Sequence, residues 1–350
     1  MPSVFDDTRL DDEDALAGAD DVLRAMAEAG ARVRREAGAA AETIASAVAA
    51  ASGEARPRAV VAAGPDSRLL RAVLEPWCPV PFVAWPGPSL PGWAGALDLV
   101  LVLAPGGADT GTASAVAEAV RRGCQLVVAC PPRSFVSEHA AGRHSTVLPA
   151  SSGDQLATAV VMLEFLDRLD LGPDTDAESV ATALDDVAVA CSPYRELSLN
   201  PAKLLAIALA ESVPLVWGGS VLAARAARRV AESLRRSSGR AALAADAEHL
   251  LPVIAASHTR DVFADPFSDP SSREEDSDLR PTLVILDDGS VDASVREQRG
   301  RLTHAAQQRR VRVETVTTDA GDELARYASL LATGTYSAAF LGVGLDYPAR

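Results

Sequence analysis

The stretch LVLVLAPGGADTGTASAVAEAVRRGCQLVVAC, residues 99–130, reads as an apolar strand, a polar loop hinged on glycines, an amphipathic helix and a second apolar strand. A strand, loop and helix in that order form the corner where small phosphorylated ligands sit in α/β proteins, because unpaired N–H groups of the first helical turn attract anions. What the loop APGGADTGT (104–112) contains therefore bears directly on function.

Outward from this unit the same alternation continues. RAVVAAG (58–64), VPFVAW (80–85), LDLVLVLA (97–104), QLVVAC (125–130) and STVLPA (145–150) read as strands, with a helix opening at PDSRLLRAVL and a long closing helix over 153–171. Residues 9–51 carry helical spacing, with Leu16, Leu23, Met26 and Ala27 on one face. A helical span, 176–210, is broken near Cys191-Ser192-Pro193, and then the pattern restarts. VPLVWGG (213–219), AALAA (241–245), TLVILDD (282–288) and VRVETVT (311–317) read as strands, and VLAARAARRVAESLRR (221–236) and GDELARYASLLATG (321–334) as helices. The class is α/β: two domains, each a mainly parallel sheet sandwiched by helices. The expected division is a helical lead-in at 1–55, a first domain at 56–172, connecting helices at 173–210 and a second domain at 211–350. Within the last, the proline- and acid-rich DPFSDPSSREEDSDLRP (265–281) reads as a mobile insertion.

Composition narrows the partners. The formal charge of −15 argues against nucleic acid or an anionic membrane, either of which wants a basic stripe. The longest apolar runs are of strand length, and the acidic opening MPSVFDDTRLDDEDALAG lacks a secretory apolar core, so the expected location is cytoplasmic. Four cysteines, Cys78, Cys124, Cys130 and Cys191, lack CxxC spacing and read as buried structural thiols. With no GxGxxG after the first strand, no P-loop lysine, no GxSxG and no HExxH, neither a cofactor nor a metal is expected. A single lysine, Lys203, stands among 33 basic residues.

GPDSRLL (64–70), the segment from Val80 to Cys130 with SLPGWAG (89–95) inside it, NPAKLLAIAL (200–209) and VPLVWGG (213–219) follow one another in the order of a known layout. They resemble the bifunctional phosphoglucose/phosphomannose isomerases, enzymes built from two sugar-isomerase (SIS) domains. The closing segment 321–346 is similar to that family's C-terminal helices. The resemblance implies a sugar or sugar-phosphate ligand, homodimers, and metal-independent isomerisation of glucose 6-phosphate or mannose 6-phosphate to fructose 6-phosphate.

Carried over residue by residue, the resemblance meets departures. The family's phosphate loop, roughly SYSGNTEET, corresponds here to residues 104–112: Gly107 and Thr112 are kept, the serines are gone, and Asp109 stands where a threonine is expected. Asp109 reads either as a charge opposing a phosphate or as the N-cap of the following helix. GPDSRLL replaces a glycine-rich turn; Gly64 and Ser67 fit, whereas Pro65 removes a donor and Asp66 adds a charge. The expected ligand-binding residues are Gly64, Ser67, Gly106, Gly107, Thr110, Thr112, Gly218, Gly219 and Ser220. The family's glutamate motif falls on Ser237-Ser238-Gly239-Arg240, and its histidine motif falls on Ala247 to Pro252. Glu248 and His249 are the candidate catalytic pair, displaced from register, as proton carrier and ring-opening acid. The same ADAEHLLPVI also reads as a helix start capped by Asp246 with Leu250, Leu251 and Ile254 as core. The family's arginine position is occupied by SSGDQLATA (151–159), with Arg133 a neighbouring substitute. Two functions follow as expectations: a hexose-phosphate isomerase, or a catalytically silent SIS protein that binds a sugar derivative or a protein partner in a regulatory or scaffolding role.

Overall fold

The computed structural model describes residues 4–51, 53, 55–257 and 280–347. Contacts divide the chain into two compact units, Glu28–Thr182 and Met1–Ala27 together with Ala183–Arg350. The residues read as one helical lead-in are thus shared: α1 (Glu13–Ala17) and α2 (Asp20–Ala27) belong to the second unit, α3 (Ala29–Ala51) to the first.

The first unit continues with β1 (Val60–Ala63), α4 (Ser67–Leu74), β2 (Phe82–Trp85), β3 (Leu99–Leu103), α5 (Thr110–Arg121), β4 (Gln125–Cys130), α6 (Phe135–His139), β5 (Ser145–Pro149) and α7 (Gln155–Asp167). Its strands lie in the order β2-β1-β3-β4-β5, every pairing parallel, with Val60 opposite both Phe82 and Leu99 and Leu99 opposite Gln125. The unbroken apolar run of β3 is what a strand covered on both faces requires, and Leu99 to Leu103 are at most 4% exposed. Each such side chain contributes about 1.5–3 kcal/mol on burial. At the sheet edge β2 is only partly buried and ends on the exposed Trp85. At the foot of β3 the fully buried Asp98 accepts from Arg58 at 2.6 and 2.9 Å and from the Gly95 N–H at 2.8 Å, so its charge is met from two sides.

Helix α8 (Ala177–Ala190) leads into the second unit, and the chain then makes a 3-10 turn (Leu197–Leu199) and α9 (Pro201–Leu209). The break falls at the predicted Cys191-Ser192-Pro193, and Asn200 caps α9 with Pro201 in its first turn. There follow β6 (Ser212–Gly218), α10 (Val221–Ser238), β7 (Leu243–Ala244), α11 (Ala247–Ala256), β8 (Arg280–Asp287), α12 (Ala293–Arg309), β9 (Arg312–Thr317) and α13 (Glu323–Gly344). The sheet order is β7-β6-β8-β9, again wholly parallel. Lys203 is fully buried here and spends its charge on Asp11 Oδ1 at 2.6 Å and the carbonyls of Pro193 at 2.8 Å and Arg195 at 3.2 Å.

Some boundaries shift. Of the expected insertion, 265–279 lies outside the described residues, while Arg280 and Pro281 already pair in β8 with Ser212 and Val213. Proline is tolerated there because it sits at the start of the strand. The expected strand at 241–245 shortens to the two residues of β7, and α12, which was not read from the sequence, fills the crossover between β8 and β9.

Candidate functional site

In the first unit the candidate site is the corner at the C-terminal ends of β1 and β3. Gly64 ends β1 at φ +88°, a backbone angle that suits glycine, and a Cβ there would lie 3.3 Å from Thr112 Oγ1. The two loops therefore meet at this residue. Asp109 is the N-cap of α5: one carboxylate oxygen accepts from both the Thr112 N–H and the Thr112 hydroxyl, each at 2.6 Å. These bonds, the hydroxyl's first, hold the Asp109 carboxyl below its ordinary range, so it is ionised at neutral pH. Thr112 itself is 1% exposed and faces this carboxylate, whereas Gly106 and Thr110 are exposed at the mouth of the corner. Gly107 is buried, and a Cβ there would press on Ser134 at 2.5 Å, which fixes the loop against the start of α6.

Ser67 opens α4 and gives its N–H to the Gly64 carbonyl at 3.1 Å, while its buried Oγ has no hydrogen-bond partner. Beside it Asp66 accepts from the Gln155 side chain at the start of α7. The sequence carried no signal for that pairing, since 89 residues separate the two. Gln155 stands within the stretch that replaces the family's arginine, and Arg133 is exposed at φ +59° in the loop after β4.

The second unit repeats the motif at the end of β6. A Cβ on Gly218 would fall 2.2 Å from the Ala223 backbone, and one on Gly219 2.2 Å from Val295. Both glycines thus let α10 and α12 approach the strand end closely. Ser220 caps α10 by accepting from the Ala223 N–H at 3.0 Å and donates its hydroxyl to Asp288 just beyond β8. A carboxylate again stands at the start of a helix. Asp288 was not among the expected site residues; an acidic pair after an apolar strand, Asp287-Asp288, was the available signal.

Glu248 and His249 lie side by side, both exposed, on the first turn of α11. Glu248 is bound by Arg301 of α12 at 2.6 and 3.4 Å, and that contact holds its carboxyl below the ordinary range. Leu250 and Ile254 face the core from the same helix, while Asp246 precedes it without making a side-chain cap bond. Ser237, at the family's glutamate position, lies in the last turn of α10. All four cysteines are free; Cys124, Cys130 and Cys191 are buried, and burial pushes the Cys191 thiol up to about 12. Among the described residues no cluster of three or more His, Cys, Asp or Glu is placed to hold a metal, and no helix is long and apolar enough to cross a membrane.

Residues 198–347 match the bacterial phospho-glucose isomerase C-terminal SIS domain. No curated protein matches the chain by sequence. Among solved structures, tagatose-6-phosphate ketose/aldose isomerase from Escherichia coli is similar at 12% identity and a TM-score of 0.64, over 91% of this chain and 94% of that one. The C-terminal domain of glucosamine-fructose-6-phosphate aminotransferase from Francisella tularensis is similar at 10% identity and 0.61, over 90% and 95%. A glucose-6-phosphate isomerase-like protein from Thermus thermophilus is similar at 18% identity and 0.50, over 83% and 82%. At these identities the likeness is one of fold.

Proposed function

We propose, with the match of residues 198–347 to the bacterial phospho-glucose isomerase C-terminal SIS domain in support of a sugar ligand, that this chain binds a sugar derivative at its first-unit corner and does not isomerise hexose 6-phosphates. The observation that carries the reading is Asp109. Its carboxylate occupies the start of α5, where the resemblance puts the phosphate, and takes the Thr112 donors a phosphate would use. Two like charges about 4 Å apart at an effective dielectric near 20 repel by about 4 kcal/mol. That is about a thousandfold in affinity, enough to turn a phosphate site into one for a neutral sugar. Asp66 adds a second carboxylate beside Gly64 and Ser67, in keeping with a ligand that carries no phosphate.

The second reading, aldose-ketose isomerisation of glucose or mannose 6-phosphate by Glu248 and His249, is favoured by their adjacency on an exposed turn within the SIS-matched segment. Against it, a proton carrier works best with a pKa near the working pH, and Arg301 draws Glu248 the other way. A coupled assay on the purified chain with glucose, mannose and fructose 6-phosphates, run in both directions, decides between them. No turnover is expected with any of the three. Turnover that Glu248→Gln abolishes contradicts the proposal and establishes the second reading.

A further inference from the structure

The first sheet has a second concave surface, at the end opposite the corner. Two pockets of about 270 and 570 Å³ adjoin there, sharing Arg56, Gln125 and His144. Their walls begin where the strands begin: Leu99, Gln125 and Ser145 are the first residues of β3, β4 and β5. The corner lies at the other ends of these strands, about 16 Å away at about 3.3 Å per residue. The two places are therefore separate sites on one sheet.

Their lining is chemically asymmetric. One wall is apolar, from Leu99, Phe165, Leu169 and Leu171, and the rim carries Arg56, Arg143 and His144. Among the described residues no aspartate or glutamate lines either pocket, in a chain whose formal charge is −15. Arg58, on the rim of the larger pocket, is already neutralised by the buried Asp98. The other basic residues line a cavity whose opposite wall is apolar. Guanidinium groups bind phosphate oxygens through paired N–H donors, and two of them beside an imidazole suit a dianion better than a monoanion. A ring against Leu99 and Phe165 would bury its faces while the charged head stays at the rim.

We propose that the foot of the first sheet is a second ligand site, taking a small phosphate monoester whose organic part is an apolar ring. The site is independent of the sugar corner and stands whether or not the corner binds phosphate. Phenyl phosphate is the simplest probe, with inorganic phosphate as the head alone and phenol as the body alone.

The test is calorimetric titration of the full chain, and of its Arg56→Gln/Arg143→Gln double variant, with each of the three. The expected result is saturable binding of phenyl phosphate, roughly tenfold or more tighter than either fragment, and weakening as ionic strength rises. The double variant, checked as folded by an unchanged far-ultraviolet dichroism spectrum, should lose that binding by roughly tenfold or more. The proposal is overturned if the wild type does not bind phenyl phosphate, if inorganic phosphate binds equally well, or if the folded double variant keeps full affinity.

Discussion

Asp109 is both a helix cap and a fixed charge, and the two roles can be pulled apart. The cap bonds to Thr112 depress its carboxyl from 3.8, so its ionisation contributes stability that is fully present above pH 3.8 and lost as pH falls through the lower folded value. Asp109→Asn keeps a capping side chain and removes the charge. Thermal melts of the two proteins should therefore converge towards acid pH; a constant gap would mean that the carboxylate is not the stabilised species. Lys203 is the other residue whose chemistry is legible one bond at a time. Its ammonium is fully buried and meets one carboxylate and two carbonyls. Lys203→Met should cost about 2–3 kcal/mol in urea unfolding, because hydrogen bonds to a charged group are lost together. Lys203→Arg should not restore it, since a planar fork does not reproduce three divergent donors. A loss within a few tenths of a kcal/mol would show the cluster to be dispensable.

At the scale of elements, the helix starts of the two units follow one plan, and glycine sets how closely each helix can approach. Gly218 has the Ala223 backbone 2.2 Å from where a Cβ would stand, so Gly218→Ala must push α10 away from β6. The expected cost is about 1–3 kcal/mol in a thermal or denaturant melt, as for other overpacked cores. An unchanged melting point would mean that α10 is not held by this contact. Strands β1, β3, β4, β6 and β8 were legible because a strand buried on both faces writes an unbroken apolar run. The break before α9 was legible because Pro193, in Cys191-Ser192-Pro193, interrupts the helical pattern. Helix α12 was not, because its sequence, ASVREQRGRLTHAAQQR, buries only Leu302 and Ala306 and shows little apolar periodicity. The link from Asp66 to Gln155 and the bond from Ser220 to Asp288 were also hidden, since each joins residues far apart in the chain. The cap reading of Asp109, by contrast, rested on spacing alone and is what the geometry displays.

For the molecule as a whole, the acidic balance and the carboxylates at both helix starts act in the same direction. In a chain of formal charge −15, Asp109 caps α5 and Asp288 accepts from the Ser220 cap of α10, so a carboxylate stands against an incoming dianion at both helix starts. We propose that Asp109 excludes a phosphate from the first corner. The most direct measurement is calorimetric titration of fructose 6-phosphate and fructose into the wild-type chain and into Asp109→Ser, which retains a cap oxygen without the charge. In the wild type, fructose should bind at least as tightly as fructose 6-phosphate. In Asp109→Ser the phosphorylated sugar should gain roughly tenfold or more while fructose is unchanged. Fructose 6-phosphate binding the wild type as tightly as it binds Asp109→Ser, and more tightly than fructose, would contradict the account.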